Sequence, residues 1–215
     1  MITSINKRSY PNTLIVILGQ DHGRSEFDER ENVTRVTDEQ GKLIGFNFFN
    51  VDQVLDYDQL PDGKVELTAD QLAALNKVLK DAGFDDKLEA GSPKIVYGKV
   101  AKCEKHPDSD HLHVTQVDVG TSQLQQIVCG APNIAAGQTV VVALPGALMP
   151  NGAQIWPGKL RGVESDGMIC AARELALPHA EQKRGIMVLP AGFALGTAYE
   201  PAKLDELLAS GQIKL

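Results

Sequence analysis

The sequence lacks several features that would each have placed it in a definite class. It has three scattered cysteines, Cys103, Cys129 and Cys170, and no CxxC pair, which argues against a disulfide framework and indicates reduced thiols in a cytoplasmic protein. No stretch approaches the roughly 18 apolar residues that a membrane helix needs. The apolar run Leu14–Gly19 has no small-residue cleavage site after it, so we expect no secretory signal.

The sequence also lacks a surplus of positive charge. Residues 1–93 contain 10 lysines and arginines against 17 aspartates and glutamates, whereas residues 94–215 contain 11 of each. The formal net charge of −7 therefore belongs to the first part of the chain. This excludes a generally basic nucleic-acid-binding chain, because any attraction to phosphate has to come from a local cluster.

A change in composition near Gly91-Ser92-Pro93 predicts two domains. Residues 1–91 are expected to form a small, acidic α+β domain of unknown function, with a helix at 68–82, a buried strand at 14–18 and a hairpin made by 32–37 and 42–49. Residues 92–200 are expected to form an all-β barrel, and residues 201–215 a short C-terminal helix and tail. The first domain shows no phosphate loop, metal-ligand spacing or nucleophile–base pair.

The barrel prediction depends on short apolar runs separated by turn signals such as HPDSD, APN, PGALMPNG and ESDG. About five short strands over roughly 100 residues are typical of a small barrel that closes on itself and so removes its exposed edges. The candidate strands are 95–103, 112–119, 124–128, 139–144 and 159–163, with a later one at 185–189.

Two groups of residues in this region are candidates for a metal site or a catalytic site. Cys103, His106, His111 and His113 fall within eleven residues, but their spacing matches no ordinary zinc pattern, so a structured hairpin loop is favoured over a metal site. Ser165 lies between two acidic residues, yet the sequence places no histidine base beside it. We therefore expect no enzyme activity, no cofactor and no metal.

A barrel of this size can bind oligonucleotides through stacking surfaces and a few cations. The candidate cations are Lys99 and Lys105 on the first strand, which share one face if that strand is regular, and Lys159 with Arg161 further along. The single tryptophan, Trp156, could either stack on a base or pack in the core, and both interpretations stay open.

Three phrases in fixed order then indicate a family: KHPDSDHLHVTQVDVG, IVCGAPNIAAGQTVVVALPGALMPNG and KLRGVESDGMICAARELAL. They resemble the tRNA-binding OB-fold domain found in the phenylalanyl-tRNA synthetase β chain, in many methionyl-tRNA synthetases and in the endothelial monocyte-activating polypeptide. The resemblance covers about half of the chain and implies an OB-fold barrel. The whole arrangement resembles the YtpR-like family of stand-alone bacterial proteins, and such a chain has no room for an aminoacylation apparatus.

The resemblance also implies site residues. Positions that match the RNA-facing side of the family are Asn133, Arg161, Ser165 and Met168. His111 stands where the family commonly has lysine, and Ala171 where serine usually follows the cysteine.

Three functions are considered. The leading hypothesis is a non-catalytic, cytoplasmic tRNA-binding protein that recognises the backbone and shape of tRNA. The alternative is a protein-interaction module that docks on an aminoacyl-tRNA synthetase or on a second copy of itself. An enzyme in residues 1–92 is the third, and no recognisable catalytic set favours it.

Overall fold

The computed structural model describes residues 1–213, and the chain divides into two compact units, Met1–Ser92 and a second that begins at Pro93. The last two residues of the predicted 201–215 tail lie outside the described residues. No helix in the described part of the chain is long and apolar enough to cross a membrane.

Unit 1 is built on a six-stranded antiparallel sheet. Its strand order is β3-β4-β5-β2-β1-β6. The strands are β1 Ile2–Asn6, β2 Tyr10–Ile17, β3 Ser25–Arg30, β4 Val33–Asp38, β5 Leu43–Phe48 and β6 Gly63–Lys64. The predicted hairpin is confirmed, because β4 pairs with β5. β3 is an exposed edge strand and carries the charged residues Asp28, Glu29 and Arg30.

One helix, α1 Ala69–Asp81, packs Leu75 and Leu79 into the core of unit 1. Thr68 caps it: the Thr68 hydroxyl accepts the backbone N–H of Gln71, and the Gln71 side chain accepts the backbone N–H of Thr68. This reciprocal arrangement satisfies two donors that the first turn would otherwise leave unpaired. The predicted helix is thus confirmed, but the predicted α+β class is not, because sheet dominates the unit. Single-turn 3₁₀ helices lie at Val51–Gln53 and Tyr57–Gln59.

Unit 2 is mostly strand. Its five-stranded sheet has the order β15-β10-β7-β8-β9, and two short hairpins, β11–β12 and β13–β14, lie outside that sheet. The elements are β7 Ile95–Lys105, β8 His113–Asp118, β9 Gln125–Cys129, β10 Thr139–Ala143, β11 Ala147–Leu148, β12 Gln154–Ile155, β13 Gly158–Leu160, β14 Val163–Ser165, β15 Met168–Ile169 and α2 Pro201–Ala209.

The five-stranded sheet nearly closes into a barrel, which fits an OB fold. Beyond β9, the backbone N–H of Asp166 donates to the Gln126 carbonyl at 2.7 Å, so β9 meets the segment that leads into β15. The curvature requires a glycine at position 98, where a Cβ would lie 2.8 Å from a methyl of Val142 and 3.0 Å from one of Val117. Such close approach is a common reason for glycine inside a strand.

Two strand predictions for unit 2 are wrong. Residues 159–163 form the tip of the β13–β14 hairpin, because Arg161 and Gly162 both have positive φ, 45° and 81°, as in the two-residue type I′ turn. Residues 185–189 form no regular strand; isolated bridges occur at Val188 and Leu189, and the one at Leu189 pairs with Thr139.

Candidate nucleic-acid interface

The loop between β7 and β8 lies against the β13–β14 hairpin, and His106 joins them. This side chain is 4% exposed. Its Nε2 lies 3.1 Å from the Leu160 carbonyl oxygen, and its Nδ1 accepts the Asp108 backbone N–H at 3.0 Å. One neutral tautomer, protonated at Nε2, satisfies both bonds. Arg161 adds a second link by donating from Nη1 to the Asp108 carbonyl at 3.0 Å.

We call residues 105–112 together with 158–165 the loop–hairpin surface. In an OB fold the loop between strands 1 and 2 and the segment between strands 4 and 5 flank the nucleic-acid-binding face. Here these two parts are held together through His106 and Arg161. The surface is therefore a preformed platform beside β8 and β9.

The hairpin tip presents Lys159, Leu160 and Arg161 to solvent, and Leu160 is 42% exposed. Lys159 pairs with Glu164 across the hairpin at 3.5 Å, but both side chains are about two-thirds exposed, so the pair contributes little and can exchange for phosphate. Arg161 uses one N–H for Asp108, which leaves its other donors for a ligand.

The lysines of β7 are arranged differently from the prediction. A bulge between Val100 and Lys102 shifts the register, so that Lys99 lies opposite Asp118 and Lys102 opposite Gln116. Since Val100 and Val117 face the interior, Lys99 and Lys102 share the outer face. Lys105, opposite His113, has the other orientation. The predicted common face for Lys99 and Lys105 is wrong, because a bulge inserts one residue into the alternation.

Cations and carboxylates are mixed along β7, β8 and the loop between them. From residue 99 to residue 118 the chain carries three lysines and four acidic residues. No strongly basic patch results, so a bound polyanion can gain only a few phosphate contacts, each sensitive to salt.

Two of the predicted site residues have side chains that are already hydrogen-bonded inside the protein. Ser165 is 5% exposed, its Oγ accepts the Val128 N–H at 3.1 Å, and it lies 3.3 Å from the Gly167 carbonyl oxygen. Asn133 donates to the Ile186 carbonyl and accepts the Ile186 N–H, both at 2.9 Å. Both contacts with RNA stay predictions, and in the free protein these two side chains hold the barrel segments in place.

The two apolar candidates are partly accessible. Trp156 is half-buried, and its indole N–H donates to Gln154 Oε1 at 3.2 Å. This placement is compatible both with stacking of Trp156 on a base and with packing of Trp156 in the core. Met168, on β15, packs against the apolar cluster that contains Val141 and Cys170, on the other side of β10 from the barrel interior, and also lines a cavity on the barrel surface.

The three cysteines of unit 2 are not activated thiols. Burial raises the pKa of the Cys170 thiol to about 12, and burial also raises the pKa values of Cys129 and Cys103. Protonated thiols are poor nucleophiles. Within residues 1–213, no group of three or more His, Cys, Asp or Glu side chains is placed to hold a metal ion.

Several residues that shape this region were not predicted. His106 was assigned to a structured loop rather than to a metal site, but its bond to Leu160 in the β13–β14 hairpin was not predicted. The pair formed by Gln116 and Gln126, with an Nε2–Oε1 distance of 2.9 Å, links β8 to β9 on the outer face. Arg173 and Arg184 at the cavity beside Met168 carried no sequence signal, because they come together only through the fold.

Comparison with known proteins agrees with this division of the chain. Residues 95–198 match the family model described as "Putative tRNA binding domain", and residues 20–91 match a domain of unknown function, DUF4479. The "Putative tRNA-binding protein YtpR" of Bacillus subtilis (strain 168) is 41% identical over 199 residues, which cover 91% of this chain and 97% of that protein.

Other relatives match the second unit more than the first. The phenylalanine–tRNA ligase beta subunit of Latilactobacillus sakei is 51% identical over 127 residues, 57% of this chain but only 16% of the ligase subunit. Among solved structures, a MetRS-related protein from Pyrococcus horikoshii covers 49% of this chain and 88% of its own, with 21% identity and a TM-score of 0.37.

Proposed function

The chain belongs to the YtpR-like family of proteins with a tRNA-binding domain, and from this we propose that it is a non-catalytic tRNA-binding protein. The OB-fold barrel of unit 2 binds tRNA through the loop–hairpin surface, mainly by contacts to the phosphate backbone. The observation that carries this proposal is the His106 and Arg161 link, which holds two recognition segments together beside β8 and β9.

The charges of this surface limit how the RNA is held. Lys105, Lys159 and Arg161 provide its cations, and nearby carboxylates reduce their field. Lys99 lies on the other face of β7 from Lys105 and outside this surface. Binding is therefore modest and falls steeply with salt, since each phosphate contact releases counterions. Leu160 and Trp156 supply apolar area against which an exposed base can pack.

The test is binding of labelled total tRNA by the full chain at about 50 and 200 mM salt. Arg161→Gln removes the charge and also the Nη1 bond to the Asp108 carbonyl, because the glutamine amide ends near the position of Nε. We expect roughly three- to tenfold weaker binding and a salt slope reduced by about one. The matched control is Lys203→Gln, an exposed cation on α2. Equal affinities for the two variants, or no binding by the unmodified chain at low salt, would contradict the proposal.

A second candidate is protein docking through unit 1. A cavity of about 160 Å³ in that unit has two exposed apolar residues on its wall, Phe49 (42%) and Val54 (36%), and its lining includes the carboxylates of Glu31 and Asp81. Exposed apolar area beside acidic groups suits a partner with a positively charged surface better than a second acidic copy of this chain, and a synthetase is the partner tested.

Sedimentation of the chain alone and mixed with phenylalanyl-tRNA synthetase separates these partners. A complex that Phe49→Ser weakens would support docking on a synthetase, whereas a concentration-dependent dimer would support self-association. Sedimentation as an isolated monomer in both samples would count against the second candidate.

A further inference from the structure

A cavity of about 240 Å³ opens on the barrel beside Met168. Its walls come from three chain segments, within residues 128–132, 168–174 and 184–186. The side chains at it are of three kinds: aliphatic ones, two arginines and one glutamate. No part of the proposed loop–hairpin contact uses the charged members, Arg173, Arg184 and Glu174.

Hydrogen bonds hold these walls in place without a ligand. The Asn133 amide makes two bonds to the backbone of Ile186, and so ties the segment after β9 to the segment that carries Arg184. Glu174 Oε2 accepts the Ala171 N–H at 2.7 Å, which shapes the third wall. A cavity formed in this way requires little ordering on binding, which favours affinity.

The cavity adjoins both parts of the loop–hairpin surface. Val128 on its wall donates its N–H to Ser165 at the end of the hairpin. Gly130, also on the wall, approaches the loop so closely that a Cβ there would lie 3.2 Å from Leu112 Cδ2. An RNA strand on the loop–hairpin surface can therefore continue into the cavity.

The charged groups suit the parts of a nucleotide. Arg184 is exposed and, within residues 1–213, makes no ion pair, so its guanidinium is free for a phosphate. Arg173 is held by the Lys183 carbonyl and lies 3.8 Å from Glu174 Oε1. Glu174 retains acceptor capacity beyond its bond to Ala171, and a carboxylate accepts from a base amino group. Met168 and Pro132 add apolar wall.

We propose that this cavity binds one unpaired nucleotide of the tRNA, with its phosphate at Arg184 and the amino edge of its base at Glu174. The inference rests on the proposed tRNA-binding function and extends it. Adenine, cytosine and guanine carry an amino group and uracil does not, so the cavity prefers the first three. The nucleotide comes either from the single-stranded 3′ end or from a loop, since only unpaired bases expose this edge.

The first experiment compares Arg184→Gln with Lys183→Gln in tRNA binding by the full chain. Both remove one exposed positive charge, but Lys183 does not line the cavity. We expect Arg184→Gln to weaken binding roughly three- to tenfold and Lys183→Gln less than twofold. Equal affinities in the two variants would overturn the inference while leaving tRNA binding intact. Absence of binding by the unmodified chain would overturn both proposals.

A second experiment tests the base and its source. Single-stranded RNA made of adenosine and cytidine should displace tRNA better than uridine-only RNA of the same length, and Glu174→Gln should reduce that difference. Equal displacement by the two RNAs would overturn the preference. With tRNA that lacks its unpaired 3′ nucleotides, the effect of Arg184→Gln disappears if the 3′ end is the ligand and persists if a loop is. Matching circular dichroism spectra and unfolding midpoints confirm that each variant is folded.

Discussion

Replacing His106 by asparagine or by glutamine separates the two bonds that this side chain makes. Asparagine places its amide oxygen near the position of Nδ1 and can still accept the Asp108 N–H, but it cannot reach the Leu160 carbonyl. Glutamine places its amide nitrogen near the position of Nε2 and can still donate to Leu160. The first variant thus keeps the turn within the loop, and the second keeps the link between loop and hairpin.

The stability cost should be similar in the two variants. Each loses one hydrogen bond, which contributes about 1 kcal/mol net, and each loses part of the packing of a side chain that is 4% exposed. We expect the free energy of unfolding in urea to fall by roughly 1–2 kcal/mol in both. tRNA affinity should differ between them: within about twofold of the unmodified chain for glutamine, and roughly fivefold weaker for asparagine.

Two results would refute the proposed role of His106. If both variants bind tRNA as tightly as the unmodified chain, the link to Leu160 does not position the hairpin for RNA. If affinity instead follows the loss of stability in both, His106 acts on the fold as a whole. Measuring affinity at a temperature where all three proteins are fully folded separates these effects.

Two further outcomes follow from buried groups of the barrel. Ser165→Ala leaves the buried N–H of Val128 without its partner, so urea unfolding should show a loss of roughly 1–3 kcal/mol in the free energy of unfolding. The control is Ser109→Ala, whose bond to His111 lies at the surface and which should change the free energy of unfolding by less than about 0.5 kcal/mol. Equal losses in the two variants would contradict the structural role of Ser165. Burial raises the pKa of Cys170 to about 12, so its thiol is almost entirely protonated at neutral to mildly alkaline pH. Iodoacetamide at about pH 8 should therefore modify Cys170 only after unfolding. The prediction would be contradicted if mass spectrometry showed Cys170 in the folded protein modified as fast as the half-buried Cys103.

Local patterns in the sequence predicted the elements that local rules control. The helix after Thr68 was predicted because leucines recur at helical spacing between a capping threonine and a glycine, and the capping box accounts for its start. The β4–β5 hairpin was predicted from two alternating segments around a glycine-containing turn. In both, the residues that make the decisive contacts are neighbours in the sequence.

Features that depend on distant contacts were not predictable in this way. The bulge in β7 reverses the face on which Lys102 and Lys105 lie. The sequence KVAKCEK contains no glycine that would have indicated a bulge. The turn at Arg161 and Gly162 resembles part of a strand, because valine and leucine flank it. The internal bonds of Ser165 and Asn133 reach Val128 and Ile186, 37 and 53 residues away.

At Arg161, the backbone conformation of the turn and the placement of a positive charge favour different residue types. A residue other than glycine, asparagine or aspartate is disfavoured there, since its Cβ crowds the backbone in the left-handed region. Selection for hairpin stability alone would favour asparagine or glycine, the residues that type I′ turns prefer. Either would remove the guanidinium that reaches the Asp108 carbonyl and faces solvent at the hairpin tip. Arginine at this turn therefore places a positive charge at the hairpin tip at a cost in the stability of the turn.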